Sequence, residues 1–223
     1  MMHDATYLAH PSTAAALYLQ RAGQWDLALT QAEGFPEIRA EILAERFFWQ
    51  NVGVDEAIAA ARALDSASLR DVLLARISYF HKLFQLKNNP LEIDELAVFS
   101  STEGAWAAFW SGVVLDNVHE RPLEAQAAYA RARSLMGDDP YLESYVVRHE
   151  AFHLLETDRA AALAGARRSL ALRASLGARP QVAAAQIALT HILPEGDPEV
   201  AELKALAHRT AEELNLPWLK AAE

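Results

Sequence analysis

The sequence predicts an all-α protein of stacked antiparallel helical hairpins, and three observations carry the prediction. Apolar residues recur at helical spacing along nearly the whole chain, and no segment sustains the period of two that a half-buried strand requires. Alanine supplies about a fifth of the residues, which favours helix by propensity and lets helices approach closely. A short phrase also recurs, in which one or two turn residues lead into a small residue that opens an apolar helix. It runs from Gly23 to Ala28, Gly53 to Ala57, Arg121 to Ala125, Thr157 to Ala162 and Gly196 to Ala201. Self-similarity of this kind marks a helical-repeat chain.

In chain order, the periodicity places helices over 12–22, 25–33, 37–51, 54–64, 67–86, 91–99, 103–117, 122–136, 140–156, 159–176, 180–192 and 198–214. The recurring phrase opens those at 25, 54, 122, 159 and 198. Asp139-Pro140 and Asp197-Pro198 put an N-cap acceptor before a first-turn proline, while Gly34, Gly137 and Gly177 sit where helices end. In the helix over 159–176, Leu163, Ala166, Leu170 and Ala174 share one face, with Arg168 and Ser175 opposite. Short connections make sequence neighbours antiparallel in space. The weakest stretch is Leu86-Lys87-Asn88-Asn89-Pro90 with the acidic run that follows, so the whole of 1–223 reads as one domain with a candidate joint near 87–102.

Composition narrows the function classes. With 52% apolar residues the chain buries a core without staples, and the absence of cysteine removes thiol chemistry, disulfides and Cys-based zinc sites. The opening Met1-Met2-His3-Asp4 has no basic segment before an apolar run, and no stretch reaches the ~20 apolar residues of a membrane span, so a soluble cytoplasmic protein is expected. A formal net charge of −10 repels a phosphate backbone, and nucleic acid is not an expected partner. The acid-free stretch between Asp158 and Glu195 carries Arg159, Arg167, Arg168, Arg173 and Arg179; these read as a solvated helix surface in preference to an anion site.

From Trp106 to about His208 the sequence resembles the tetratricopeptide repeat family, and 12–64 resembles more divergent copies. Ala125, Tyr129 and Ala132 match the family's small, aromatic and small positions on a second helix. The segment from Arg168 to Gly177, followed by Val182-Ala183-Ala184-Ala185, is similar to longer-period repeats of bacterial regulatory proteins. The resemblance implies a right-handed α-solenoid of about five to six repeats that presents a groove to a protein or peptide. Its groove positions fall near Arg46, Trp49, Trp106, Trp110 and Arg148, and Trp and Arg are residue types that carry interface energy. The competing reading packs the tryptophans between helices.

One motif looks catalytic. His149-Glu150-Ala151-Phe152-His153 spells H-E-x-x-H inside a helix, with His149 and His153 one turn apart as zinc ligands and Glu150 as the base that activates a bound water. A third ligand in a sensible place is missing from the local sequence: Glu156 is two turns from His149, and the helix that follows offers no Glu, Asp or His. The family register instead assigns these three positions to packing on a first helix, with Ala151 at the close approach if the register shifts by one. No dinucleotide fingerprint, phosphate loop or nucleophile elbow occurs, and no cofactor is expected. The expectation is a non-enzymatic protein-binding scaffold or regulatory module, with a zinc-dependent hydrolase as the alternative. A homodimer stays open through the apolar 214–219 segment, which folds back as a cap or meets a second copy.

Overall fold

The computed structural model describes residues 4–220, so the Met1-Met2-His3 opening lies outside the described residues. Among the described residues there are fourteen helices and no strand: α1 (Asp4–Leu8), α2 (Pro11–Arg21), α3 (Trp25–Gln31), α4 (Pro36–Gln50), α5 (Val54–Arg62), α6 (Ala67–Leu83), α7 (Glu95–Ser101), α8 (Ala105–Asn117), α9 (Pro122–Leu135), α10 (Pro140–His153), α11 (Arg159–Ser175), α12 (Arg179–Thr190), α13 (Pro198–Leu214) and α14 (Pro217–Lys220). None is long and apolar enough to cross a membrane.

Side-chain caps set several of the starts. The carboxylates of Asp139 and Asp158 accept from the backbone amides of Leu142 and Ala161, each at 2.9 Å, and Asp197 accepts from Glu199 at 2.9 Å. Each such cap is worth about 1 kcal/mol. Helix α7 begins four residues later than its apolar pattern suggested. Asp94 caps it through Ala97 at 3.0 Å, and the residues before it form an ordered turn instead of a first helical turn. There Asn89 accepts from the Leu91 amide and donates to Ser78 Oγ, which in turn donates to Glu95, while Lys82 pairs with the same carboxylate.

The described chain falls into two compact units that part between Leu135 and Met136, with Arg21–Gly23 grouped with the second. Segment 87–102 lies inside the first. In that first unit α4 packs on α5 and α6, α6 on α7 and α8, and α8 on α7 and α9. Every residue from Ala105 to Leu115 is buried, so α8 has no solvent face until its last turn and forms the unit's centre. An aromatic ladder runs through it: Phe48 on Phe80 at 4.6 Å, Phe80 on Trp110 at 5.9 Å, Trp110 on Phe109 at 5.4 Å and Phe109 on Tyr129 at 5.9 Å between ring centroids.

The second unit stacks α10 on α11, α11 on α12 and α12 on α13, and its C-terminal turn α14 folds back on α12 and α13 with Leu216 and Leu219 fully buried. Its apolar core gathers Ala162, Ala166, Leu189, Ile192, Leu193 and Leu203. Of the expected repeat anchors, Ala28, Ala57, Ala125 and Ala162 are fully buried, but Ala201 is exposed. In α13 the core line runs through Leu203, Ala207 and Ala211, because it is Leu203 that joins the Ala162 cluster. The buried face of α11 likewise follows Ala162, Ala166, Ser169, Leu172 and Arg173, leaving Ala174 exposed.

Candidate functional site

The four groove candidates of the first unit divide by burial. Trp49, Trp106 and Trp110 are 2%, 7% and 7% exposed, so little of any ring is open to a partner. Trp49 donates from Nε1 to Glu45 at 2.9 Å, Trp106 meets Phe109 edge-on at 5.8 Å, and Trp110 is the hub of the aromatic ladder. Arg46 is half-buried, pairs with Asp26 at 3.0 Å and donates to Gln50 at 3.2 Å, which holds its guanidinium along the helix surface.

Behind Trp49 and Trp110 lies a fully interior charge cluster. Arg76 on α6 donates to Glu41 on α4 at 2.6 Å and approaches Glu45 at 3.5 Å, and all three are buried. Burial alone would raise the Glu41 carboxyl, but Arg76 outweighs it and holds Glu41 below the usual range. For Glu45 burial wins over Arg76 and the Trp49 hydrogen bond, and the carboxyl is pushed up. Removing one member of such a buried cluster leaves the others uncompensated, which makes it costly to break.

In the second unit, α10 carries Arg148 and the H-E-x-x-H residues on its last turns. His149, Glu150 and His153 are half-buried, and among the described residues no group of three His, Cys, Asp or Glu side chains is placed to hold a metal ion. Burial, then the neighbouring Arg148 and Arg173 and then His153, hold His149 well below the ordinary histidine value, so its imidazole is neutral at physiological pH. The close approach on this helix is made by Ala151, which is buried against Gly165 of α11. A Cβ added to Gly165 would stand 3.0 Å from that of Ala151.

Around His149 the side chains of α10, α11 and α12 form a buried polar cluster that the sequence reading did not assemble. Gln181 Nε2 donates to the Tyr141 hydroxyl at 2.6 Å, the Tyr141 and Tyr145 hydroxyls lie 3.4 Å apart, and Ser169 donates to the Ser144 carbonyl at 2.6 Å. Arg173 reaches into it: its guanidinium lies 4.7 Å from the Tyr145 ring centroid, and Nη1 donates to the Gln181 carbonyl at 3.0 Å. The turn that makes this bond is a Schellman cap. Gly177, at φ +67°, lets its own amide bond to the Ala174 carbonyl and that of Ala178 to Arg173, bringing the start of α12 back over the end of α11. Burial with no acid nearby, reinforced by Arg148 and only partly offset by the tyrosines, pulls Arg173 down to about 10, which still leaves it charged at neutral pH.

The arginine stripe therefore splits. Arg167 pairs with Glu199, Arg168 with Glu143 and Arg179 with Glu213 on exposed helix surface, and Arg159 donates to the Ile192 and Leu193 carbonyls. Arg173 departs from the solvated-surface expectation, being 2% exposed. The signal was present in the sequence: the buried line 162, 166, 169 advances by four and three residues, and its next step is 173. Comparison with known proteins finds no family model, no curated protein and no solved structure that matches the chain.

Proposed function

We propose that this chain is a non-enzymatic scaffold or regulatory module that binds a protein or peptide segment on the surface of a tetratricopeptide-like right-handed α-solenoid of about five to six repeats. The observation that carries the reading is a repeat of packing. The buried set Ala125, Tyr129 and Ala132 of α9 returns 37 residues later as the buried set Ala162, Ala166 and Ser169 of α11, each helix paired with the one before it. Stacked hairpins of this kind offer extended surface for recognition, and Arg46 and Arg148, both half-buried, are the groove candidates with side chain left to offer. A cytoplasmic setting remains part of this reading, while self-association is an alternative to the fold-back of the 214–219 segment on α12 and α13.

The test is affinity capture on the immobilised full chain from native cell extract, beside folded Arg46→Ala and Arg148→Ala variants. A partner retained by the parent and lost from either variant supports the proposal; a capture profile identical across all three overturns the assignment of these arginines. The zinc-hydrolase alternative rests on the H-E-x-x-H spacing alone. It gains force only if purified protein carries stoichiometric zinc that His153→Ala removes.

A further inference from the structure

Of the buried arginines Arg21, Arg76 and Arg173, the last two are treated differently by their surroundings. Arg76 is fully buried and faces two carboxylates, Glu41 and Glu45. Arg173 is 2% exposed, yet among the described residues no carboxylate pairs with it and its Nε donates to nothing. The one side-chain charge identified beside it, Arg148 on α10, has the same sign. Buried charges are ordinarily paired, and an apolar residue of similar volume would pack the same space at lower cost. An unneutralised guanidinium framed by hydroxyl and amide groups fits a position kept for a counter-ion that arrives from outside.

We propose that Arg173 and Arg148, with the polar frame of Tyr141, Tyr145 and Gln181, bind the oxyanion of a small ligand carrying a carboxylate or phosphate group. The planar guanidinium fork suits either group, whose oxygens accept two N–H bonds at once. Nη1 of Arg173 is already held by the Gln181 carbonyl, so the fork is fixed in direction before any ligand binds. Tyr145, Arg148 and His149 are half-buried and place the solvent side of the cluster on α10. This site shares Arg148 with the protein-binding reading, but Arg173 belongs to it alone, and anion titration of the isolated chain tests it without any protein partner.

The experiment follows the arginine Nε–H resonances of the 15N-labelled full chain during separate titrations with inorganic phosphate and with succinate, at ionic strength held constant with sodium chloride. A saturable shift of the Arg173 resonance with either anion is expected, and the one that saturates at lower concentration identifies the group. Arg148→Gln should weaken the affinity about tenfold, the effect of one charge-assisted hydrogen bond. In Arg173→Met the anions should lose their effect on the thermal midpoint while the fold, by circular dichroism, persists. No saturable response to either anion, or the same anion-dependent stabilisation in Arg173→Met, overturns the site. Should that variant fail to fold, unchanged affinity in Arg148→Gln overturns the proposed pair.

Discussion

Gly112 of α8 lies against the ring of Tyr129 on α9, so close that a Cβ added to it would stand 2.5 Å from Cε1 and 2.7 Å from Cδ1. The ring cannot retreat, being fully buried with its hydroxyl bonded to Asp116 at 2.8 Å. Gly112→Ala gains about 1 kcal/mol of helix propensity and suffers overpacking of about 1–3 kcal/mol, for a net loss of up to about 2 kcal/mol. Gly165→Ala meets Ala151 Cβ at 3.0 Å and the Val147 carbonyl at 3.3 Å, where a few tenths of an ångström suffice, and should stay close to the parent. Urea midpoints of the two variants decide; equal stability would contradict the tighter packing at Gly112.

Removing Arg76 alone strands the Glu41 charge in the interior. Arg76→Met should therefore cost about 3–5 kcal/mol, whereas replacing Glu41, Glu45 and Arg76 together by apolar residues of similar volume should recover most of that loss or exceed the parent. Denaturant unfolding of the single and triple variants measures the difference. A triple variant no more stable than the single one would show that the cluster contributes more than paired charge.

Stability should fall on mild acidification. His149 and His81 are both held below the ordinary histidine value, His149 by burial and the nearby cations and His81 by burial. The unfolded chain takes up their protons near pH 6.5 while the folded chain does not, so unfolding becomes easier as pH drops below about 6.5 and is unaffected above about 7.5. Each histidine contributes a slope of at most about 1.4 kcal/mol per pH unit in that window. Urea unfolding between pH 5 and 8 should show His149→Gln with a shallower acid limb; an unchanged limb would remove His149 from the effect.

Trp110→Ala should destabilise the chain by about 3–5 kcal/mol, since it empties the hub of the aromatic ladder. Arg46→Ala should change stability by less than about 1 kcal/mol, because its ion pair is with the exposed Asp26. Thermal scans of both separate the two kinds of groove candidate before any binding is measured. A well-folded Trp110→Ala would free that ring for a role in recognition.

Features set by neighbouring residues were legible in the sequence. Asp139 and Asp197 before their prolines cap helices as read, and Gly177 ends α11 in the left-handed turn that only glycine adopts without strain. What escaped was set by distant partners. Arg76 and Glu41 are 35 residues apart, and no local pattern announces that they meet. The end of α13 was read correctly, yet its core line was not, because Ala201 and Leu203 are both apolar and the facing Ala162 cluster chooses between them. Tryptophans read as groove anchors are packing residues by burial, a difference that residue type alone does not encode.

The uneven placement of indoles gives the chain a built-in spectroscopic label. Trp25, Trp49, Trp106 and Trp110 are all enclosed in the first unit, while the second has the half-buried Trp218. Emission wavelength therefore follows loss of the first unit almost exclusively, and far-ultraviolet ellipticity follows both. Melting curves recorded by the two methods will superimpose if the halves unravel together and separate if one lets go before the other.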